Sequence, residues 1–555
     1  MKVFLLHRDR DFVPKPELRD RIFGAMVSSN LYAIDNARRD LERQQRRSPR
    51  IRPSSSDETL EQDLELDTLW RAMAGGDEFL FEMARRTVLS SLREPEAIVY
   101  RQQVLADCLE HPETIQQLYA TAIEALAGER QVGGLWQGAR PSFILHRSVR
   151  LLGLYVGLLK QLRHIADEQS SGFRSQGFVR FFATLREELS DDYLETVEQQ
   201  LRKLELRRGM VESARLAGGD KGGSYVFHQP PRELSWRERL PLIGAPRPEE
   251  YGFELHPSDE AGGRFLEEIR GQGINHVADA LAQSADHVQS FFTMLRLELA
   301  FYLGCLNLRA WLDQKGEPTC FPEPAAEDEV VLTARGIYDV ALTLHLEQRL
   351  VSNDLNADGK SLVMITGANQ GGKSTLLRSL GLAQLMMQSG MFVGAQTLRA
   401  SICAGLFTHY KREEDQTMEG GKLDEELHRM SEIADRIAPR SILLCNESFA
   451  STNEREGAEI ARQVVGAMLA KRIRVLFVTH MYDLAHGFHA QRLDSVLFLR
   501  AQRESDGRRS FKLLEGEPLP TSYGQDSFRL VFGTSEAAAG AEKEIGVLSA
   551  PEADP

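Results

Sequence analysis

Cysteine is scarce in this chain. The five present among 555 residues, Cys108, Cys305, Cys320, Cys403 and Cys445, are odd in number and widely scattered, with no Cys-x-x-Cys pair among them. That argues against a disulfide framework and gives no sign of a cysteine-held zinc or redox centre, so they read as reduced core thiols. Long apolar runs are missing too: none approaches the ~20 residues that a bilayer span needs, because charges or glycines interrupt the longest. The opening "MKVFLLHRDRDF" has too short an apolar core before Arg8 and Asp9 to read as a secretory signal. The expectation is a cytoplasmic protein with no membrane segment. Positive charge is in deficit, with a formal net charge of −14. A basic-coated surface is thereby disfavoured, but nucleic acid is not excluded, since binding depends on a local patch rather than the sum. No internal repeat stands out.

What is there is the balance of a soluble globular protein, 42% hydrophobic and 27% charged. At about 150 residues per domain the length allows roughly three or four domains, fewer if helical extensions are long. Residues 1–60 form a leading segment that ends in "RRDLERQQRRSPRIRPSSS", an arginine-rich, Ser- and Pro-rich stretch. It reads either as an exposed solvated linker or as a phosphate-contacting arm.

From about 61 to 330 the pattern is mainly helical. Leu80, Met83, Ala84, Val88 and Leu92 recur at helical spacing, and Pro95 then opens a second helix, predicting a helical hairpin. The stripe Val288, Phe291, Phe292, Leu295, Leu299, Tyr302, Leu303 and Leu306 predicts a helix of many turns with a bundle core on that face. Between these, Gly and Pro punctuate residues 209–255, predicting an irregular or partly stranded insertion. From 331 to 533 short apolar runs alternate with helical stretches: "SLVMIT", "SILLC", "VLFVTH" and "SVLFL". Such runs predict buried strands of a largely parallel α/β sheet. The tail 534–555, rich in Ala, Gly and Glu, has the composition of a disordered acidic segment.

The strand "SLVMIT" leads directly into "GANQGGKST", which satisfies G-x-x-x-x-G-K-[ST] with Gly367, Gly372, Lys373 and Ser374. Glycines let such a loop wrap its N–H groups around phosphate, and the helix that follows offers its positive end to the same anion. The candidate nucleotide-binding loop is therefore Gly367, Ala368, Asn369, Gln370, Gly371, Gly372, Lys373, Ser374 and Thr375. In it Lys373 reaches the β- and γ-phosphates and Ser374 coordinates Mg²⁺. A second apolar run ends in "CNESF", placing Glu447 at the mouth of a strand, where a carboxylate can polarise the water attacking a γ-phosphate. Thirty-three residues later a third strand ends at Thr479 and His480. Alone, a histidine there is usually structural; three elements at the ends of three strands point to one shared site.

These residues resemble the ATPase domain of MutS-type proteins, relatives of ABC and SMC heads. "GANQGGKST" is similar to that family's phosphate loop, "GMFVGAQ" to its G-x-x-V-P-A motif and "FVTHMYDL" to its histidine motif. "LVSNDL" is similar to its V-P-N-D element, and "PTSYGQDSFRLVFG" to the segment that closes the domain. The specific match covers about 331–533. The helices before it look like the family's core and lever region by their order and by "REPEAIVYRQQVL". The resemblance implies an α/β P-loop NTPase head preceded by a long, mainly helical core and lever domain, using ATP and Mg²⁺. It also implies a homodimer joined through its heads and arms that close on DNA. By it Asn369 positions the γ-phosphate or its water, Glu447 is the general base and His480 senses the γ-phosphate.

Departures from the pattern matter as much. Asn446 stands where the family has the aspartate that holds Mg²⁺ through water, so a negative charge is lost while an amide oxygen remains as acceptor. The trans-acting signature is replaced by Gly421 and Lys422; Lys422 either supplies positive charge to the partner's γ-phosphate or is an exposed helix-start lysine. No stretch resembles the mismatch-reading N-terminal domain or the small nuclease module of some relatives. No aromatic-basic alternation independently shows DNA binding. The expected function is a MutS-like DNA-binding ATPase, possessing the proton chemistry of Glu447 and slowed by Asn446. The competing readings are an ATP-gated clamp with little or no hydrolysis and an unrelated small-molecule phosphotransferase.

Overall fold

The structure is a computed structural model, and the residues described are 1–12, 55–132, 141–205, 211–217, 221–228, 256, 259–368, 370–412, 421–503 and 509–519. The chain divides into two compact units, Met1–Gln45 with Ala106–Leu303 and Arg46–Leu105 with Gly304–Pro555. The helices run in the order α1 (Ser55–Asp63), α2 (Leu66–Ala74), α3 (Glu78–Leu89), α4 (Pro95–Glu110), α5 (Pro112–Val132), α6 (Pro141–Gln169) and α7 (Gln176–Glu188). They continue with α8 (Asp191–Leu204), α9 (Glu260–Gln314), α10 (Val340–His345), α11 (Lys373–Gln388), α12 (Lys422–Arg436), α13 (Glu454–Ala470) and α14 (Tyr482–His489). The strands are β1 (Val211–Ala217), β2 (Lys221–His228), β3 (Glu323–Ala325), β4 (Leu332–Ile337), β5 (Asn353–Asn356) and β6 (Leu362–Thr366). After them come β7 (Thr397–Ser401), β8 (Leu406–Tyr410), β9 (Ile442–Asn446), β10 (Arg474–Val478), β11 (Val496–Arg503) and β12 (Arg509–Glu515).

In the second unit six strands form one sheet in the order β12-β11-β6-β10-β9-β8. All neighbours pair in parallel except β12, an antiparallel edge strand. Strand β6 is buried at all five residues. That explains its continuous apolar sequence, since strands covered on both faces need no polar side. One face packs Met364, Leu443, Cys445, Val475 and Phe477 against Met430 and Ile433 of α12, Ala461, Val465 and Met468 of α13, and Leu484 and Phe488 of α14. Helix α11 is buried at Leu376, Leu377, Leu380 and Met387, and Arg378 pairs with buried Asp339 and with Glu65.

A second, mixed sheet runs β3-β7-β4-β5. The alternation of long apolar runs does not reveal it, because its strands are short and carry charge, as in "LTARGI" and "NDLN". The helices from 55 to 105 lie within this same unit. The expected hairpin is α3 and α4: Asp77 caps α3 by accepting from the amides of Phe79 (2.7 Å) and Leu80 (3.1 Å), and Pro95 is the first residue of α4. The stretch "REPEAIVYRQQVL" docks on the end of α11. Buried Arg101 donates to the Ser389 carbonyl at 3.0 Å, and Gln102 donates to that of Pro322 at 2.9 Å. Gly390, at φ 77°, leaves room there; a Cβ on it would come within 2.7 Å of the Arg101 stem.

The first unit is helical. Ser175 and Ser190 cap α7 and α8 through the amides of Phe178 and Tyr193. Phe173, Phe178, Phe181 and Phe182 pack together behind the caps as a buried aromatic cluster, Phe178 stacked on Phe182 and the other contacts tilted or edge-on. The Gly- and Pro-punctuated insertion carries the antiparallel pair β1 and β2; residues 229–255, like 13–54 and 520–555, lie outside the described residues. The long apolar stripe belongs to the 55-residue helix α9. Two helical stretches, Pro141–Gly172 and Ile274–Gln314, are long and apolar enough by length and composition to cross a membrane. Their most apolar windows are 50% and 72% buried, with side chains such as Leu152, Tyr155, Phe292 and Leu299 serving as core. Neither is an unbroken apolar run, since charged residues such as Arg150 and Lys160 in the first and Arg296 and Glu298 in the second interrupt it.

The N-terminal residues Val3, Leu5 and Leu6 are buried, and the Glu298 carboxylate, wholly buried on α9, accepts from the amides of Leu5 and Leu6. Tyr302 donates its hydroxyl to the Leu5 carbonyl at 2.6 Å. Burial pushes the Glu298 carboxyl up to about 7; the amides of Leu6, Leu5 and Phe12 oppose this and Asp11 adds to it. A carboxyl raised this way favours folding while it is protonated. Its contribution is complete below the ordinary value of 4.5 and is lost as pH rises through about 7. Thermal stability of the wild type is therefore expected to fall from about pH 5 to about pH 8, and Glu298→Gln should flatten that slope. Parallel slopes in the two proteins would contradict the assignment.

Candidate functional site

Three neighbouring strands deliver the candidate residues to one edge of the large sheet. Register pairs Val478 with Ile365 on one side and with Asn446 on the other. The chain therefore leaves β6 at Gly367, β9 at Glu447 and β10 at Thr479, just before His480, side by side. This is the carboxyl edge, where parallel α/β sheets place their ligands.

The loop after β6 wraps tightly. Gly367 and Gly372 have φ of 114° and 87°, and a Cβ on Gly367 would stand 2.9 Å from the Ala501 backbone nitrogen. Only glycine takes these positions without strain. Gly371 is confined too, since a Cβ there would meet Ala501 at 2.7 Å and the Ala368 carbonyl at 2.9 Å. Gln370 is left-handed at φ 59°, and its side chain accepts from Arg509 on β12. Strand β12 is in turn clamped by Asn353, whose amide accepts from the Leu513 N–H at 2.8 Å and donates to the Phe511 carbonyl at 3.2 Å. The "LVSNDL" element thus acts as a brace behind the loop. Asn369 lies outside the described residues.

Lys373 and Ser374 begin α11, whose N-cap, Gly372, makes no side-chain capping bond. The first amides of that helix are the unsatisfied donors that make a helix start attractive to anions. The buried Lys373 ammonium donates to the Gly367 and Ala368 carbonyls at 2.8 and 3.0 Å. Burial pushes its pKa down, and Glu447 pulls it back up. Ser374 donates to the Asn446 side-chain oxygen at 2.9 Å. These two neutral oxygens meet where the resemblance locates Mg²⁺. Thr375 follows in the helix, its carbonyl accepting from Ser379 at 2.6 Å.

Glu447 sits in a left-handed turn at φ 53°, with its N–H bonded to the Val478 carbonyl at 2.9 Å. The His480 Nδ1 stands 3.8 Å from its carboxylate, and both side chains are partly exposed, at 38% and 30%. His480 is the main influence holding the Glu447 carboxyl below its ordinary range. Half-burial opposes this, and Lys373 and Lys411 reinforce it. Lys373, Ser374, Asn446, Glu447 and His480 are thus brought together, while Gly421 and Lys422 stand at the exposed start of α12.

Gly457 on α13 gives no signal of this kind in the sequence. A Cβ there would fall 2.3 Å from the Phe449 carbonyl, inside the turn that carries Glu447. Backbone has to move to admit it, so Gly457→Ala is expected to cost about 1–3 kcal/mol in chemical denaturation. A loss below about 0.5 kcal/mol, typical of a surface substitution, would contradict that packing.

Comparison with known proteins bears on the same segments. The model of the MutS2 N-terminal domain matches residues 93–315, and that of MutS domain V matches residues 363–546. The DNA mismatch repair protein MutS of Chlorobaculum parvum is 25% identical over 485 residues, covering 75% of this chain and 52% of that protein. MutS of Clostridium beijerinckii is 30% identical over 204 residues, 33% of this chain and 22% of that protein. MutS protein homolog 4 of mouse is 28% identical over 152 residues, 27% of this chain and 16% of that protein. The chain spans about half the length of the first of these relatives and less of the other two. With one model on the helices and another on the sheet that carries the phosphate-type loop, the chain belongs to the MutS family.

Proposed function

We propose that this chain is a cytoplasmic MutS-type ATPase of the P-loop class, acting as a homodimer whose ATP cycle opens and closes helical arms on DNA. The observation that carries the reading is the convergence of the glycine loop, Lys373, Ser374, Glu447 and His480 at one sheet edge. In this reading the amides of residues 367–375 and the start of α11 hold the phosphates, with Lys373 turning from its loop carbonyls to the β- and γ-oxygens. Glu447, ionised because His480 and two lysines lower its pKa, orients the attacking water and accepts its proton. His480 steadies that carboxylate and faces the γ-phosphate. Lys422 and Gly421 reach the partner's nucleotide. The output is movement of the helices rather than a chemical product, suited to repair or recombination more than to reading mismatches.

The donor set fits magnesium weakly. Ser374 can ligate, and Asn446 can accept a hydrogen bond from a metal-bound water, but the position has no carboxylate. Bound with the nucleotide, Mg²⁺ would neutralise phosphate charge. Asn446 also supports a second reading, an ATP-gated clamp that binds nucleotide and scarcely hydrolyses it.

Magnesium-dependent ATP turnover, with and without duplex and branched DNA, separates these. Glu447→Gln is expected to cut turnover roughly 10²-fold or more. Turnover unchanged by that substitution would sink the base assignment. Asn446→Asp is expected to lower the Mg²⁺ concentration that supports half-maximal rate; a large rise in maximal rate from a nearly idle wild type would favour the clamp.

A further inference from the structure

Beneath the turn of Glu447 lies a buried polar assembly that the chemistry above does not use. His409, on β8, is wholly buried. Its Nδ1 lies 2.7 Å from the Ser448 hydroxyl, its Nε2 lies 2.9 Å from the Glu426 carbonyl, and its ring stacks on Phe449 with centroids 5.3 Å apart. The Glu426 carbonyl can only accept, so Nε2 carries a proton. Burial, with Arg429 and Arg412 nearby, pushes the imidazole down to about 4 and keeps it neutral, which leaves Nδ1 as an acceptor for Ser448. That hydroxyl also stands 2.6 Å from the His409 carbonyl, so its one proton faces two acceptors on the same residue. Glu426 makes a second link of its own: Ser451, four residues beyond Glu447, donates to its carboxylate at 3.0 Å.

Both ends of this assembly bear on the site. One end holds Ser448, Phe449 and Ser451, the chain immediately after Glu447. Glu447 and Phe449 are both left-handed, at φ 53° and 63°. For side-chain-bearing residues that conformation costs roughly 1–2 kcal/mol each, so the turn persists only because its surroundings dictate it. The other end is Glu426, in the second turn of α12, the helix that begins at Lys422 behind its cap Gly421. Arg429, one turn further on, donates to the Tyr410 carbonyl at 3.1 Å and fixes the helix to β8 beside His409.

We propose that His409 and Glu426 are positioning residues for Glu447, forming a strut between the turn that carries the base and α12, so that a contact at Gly421 and Lys422 alters the aim of Glu447. The inference rests on Glu447 being the base. A helix displaced by even a fraction of an ångström would pass that displacement to the turn, because Ser448 and Ser451 both connect to Glu426, one through His409 and one directly. Effective catalysis by a positioned carboxylate is sensitive to shifts of this size.

The test is a double-mutant cycle on the whole 555-residue chain, reading kcat for ATP and, separately, affinity for a fluorescent ATP analogue. His409→Phe keeps the stacked ring and removes both hydrogen bonds. It is expected to lower kcat about ten- to a hundredfold and leave nucleotide affinity within about twofold. Placed in Glu447→Gln, it should cause no further loss in residual turnover. Ser451→Ala, in the loop and less disruptive to folding, should give a smaller loss with the same dependence on Glu447. Lys422→Ala should lower kcat in the wild type and not in His409→Phe. Equal losses in the wild-type and Glu447→Gln backgrounds, or affinity falling in step with kcat, would overturn the strut. Turnover insensitive to Glu447→Gln would overturn the base assignment and the strut with it, whereas turnover sensitive to Glu447→Gln but intact in His409→Phe and Ser451→Ala would overturn the strut alone.

Discussion

The hydrogen bond from the Glu447 N–H to the Val478 carbonyl, made in a left-handed turn, is the constraint on which the rest of the site depends. It ties Glu447, the first residue after β9, to Val478, the last residue of β10, and so sets Glu447 near His480. Everything near it is shaped to keep that turn. Gly457 gives α13 room to press on the Phe449 carbonyl, and buried His409 holds Ser448. On the other flank, β12 backs the glycine loop through Asn353, Phe511 and Arg509.

The charge balance at the edge departs from the pattern the family resemblance suggests. Where the resemblance expects a metal-facing carboxylate stands the neutral amide of Asn446, so Glu447 is the carboxylate left among the converged residues, with His480 first and then Lys373 and Lys411 drawing its pKa down. A base held well ionised abstracts a proton weakly but orients water reliably. An active site that relies on orientation more than basicity is sensitive to how firmly its carboxylate is aimed, which gives the buried support of the turn its importance.

Much of this was legible in the sequence, for identifiable reasons. The glycine loop declares itself because its conformation admits no other residue at Gly367 and Gly372, and strands β6, β9, β10 and β11 show as apolar runs because both sheet faces are covered. Other features leave no local mark. The second sheet is built from short, charged strands held by pairing rather than by burial. A buried histidine in "FTHY" looks like any strand residue, and the glycine of "NEREG" looks like a weak helix position until a carbonyl is found 2.3 Å from its absent Cβ. Helices α6 and α9 are long and apolar enough by composition to cross a membrane, and composition alone does not show the neighbours that bury 50% and 72% of their most apolar windows.

The proposed site would hold one nucleotide phosphate chain between the glycine loop and the Glu447 turn. A crystal structure of Glu447→Gln with ATP and Mg²⁺ tests it most directly. The account predicts the γ-phosphate against Lys373 and the start of α11, with a water within about 3 Å of both the substituted side chain and the phosphorus-facing side of His480. A triphosphate bound elsewhere, or bound in the loop with the turn after β9 directed away from it, would contradict the account.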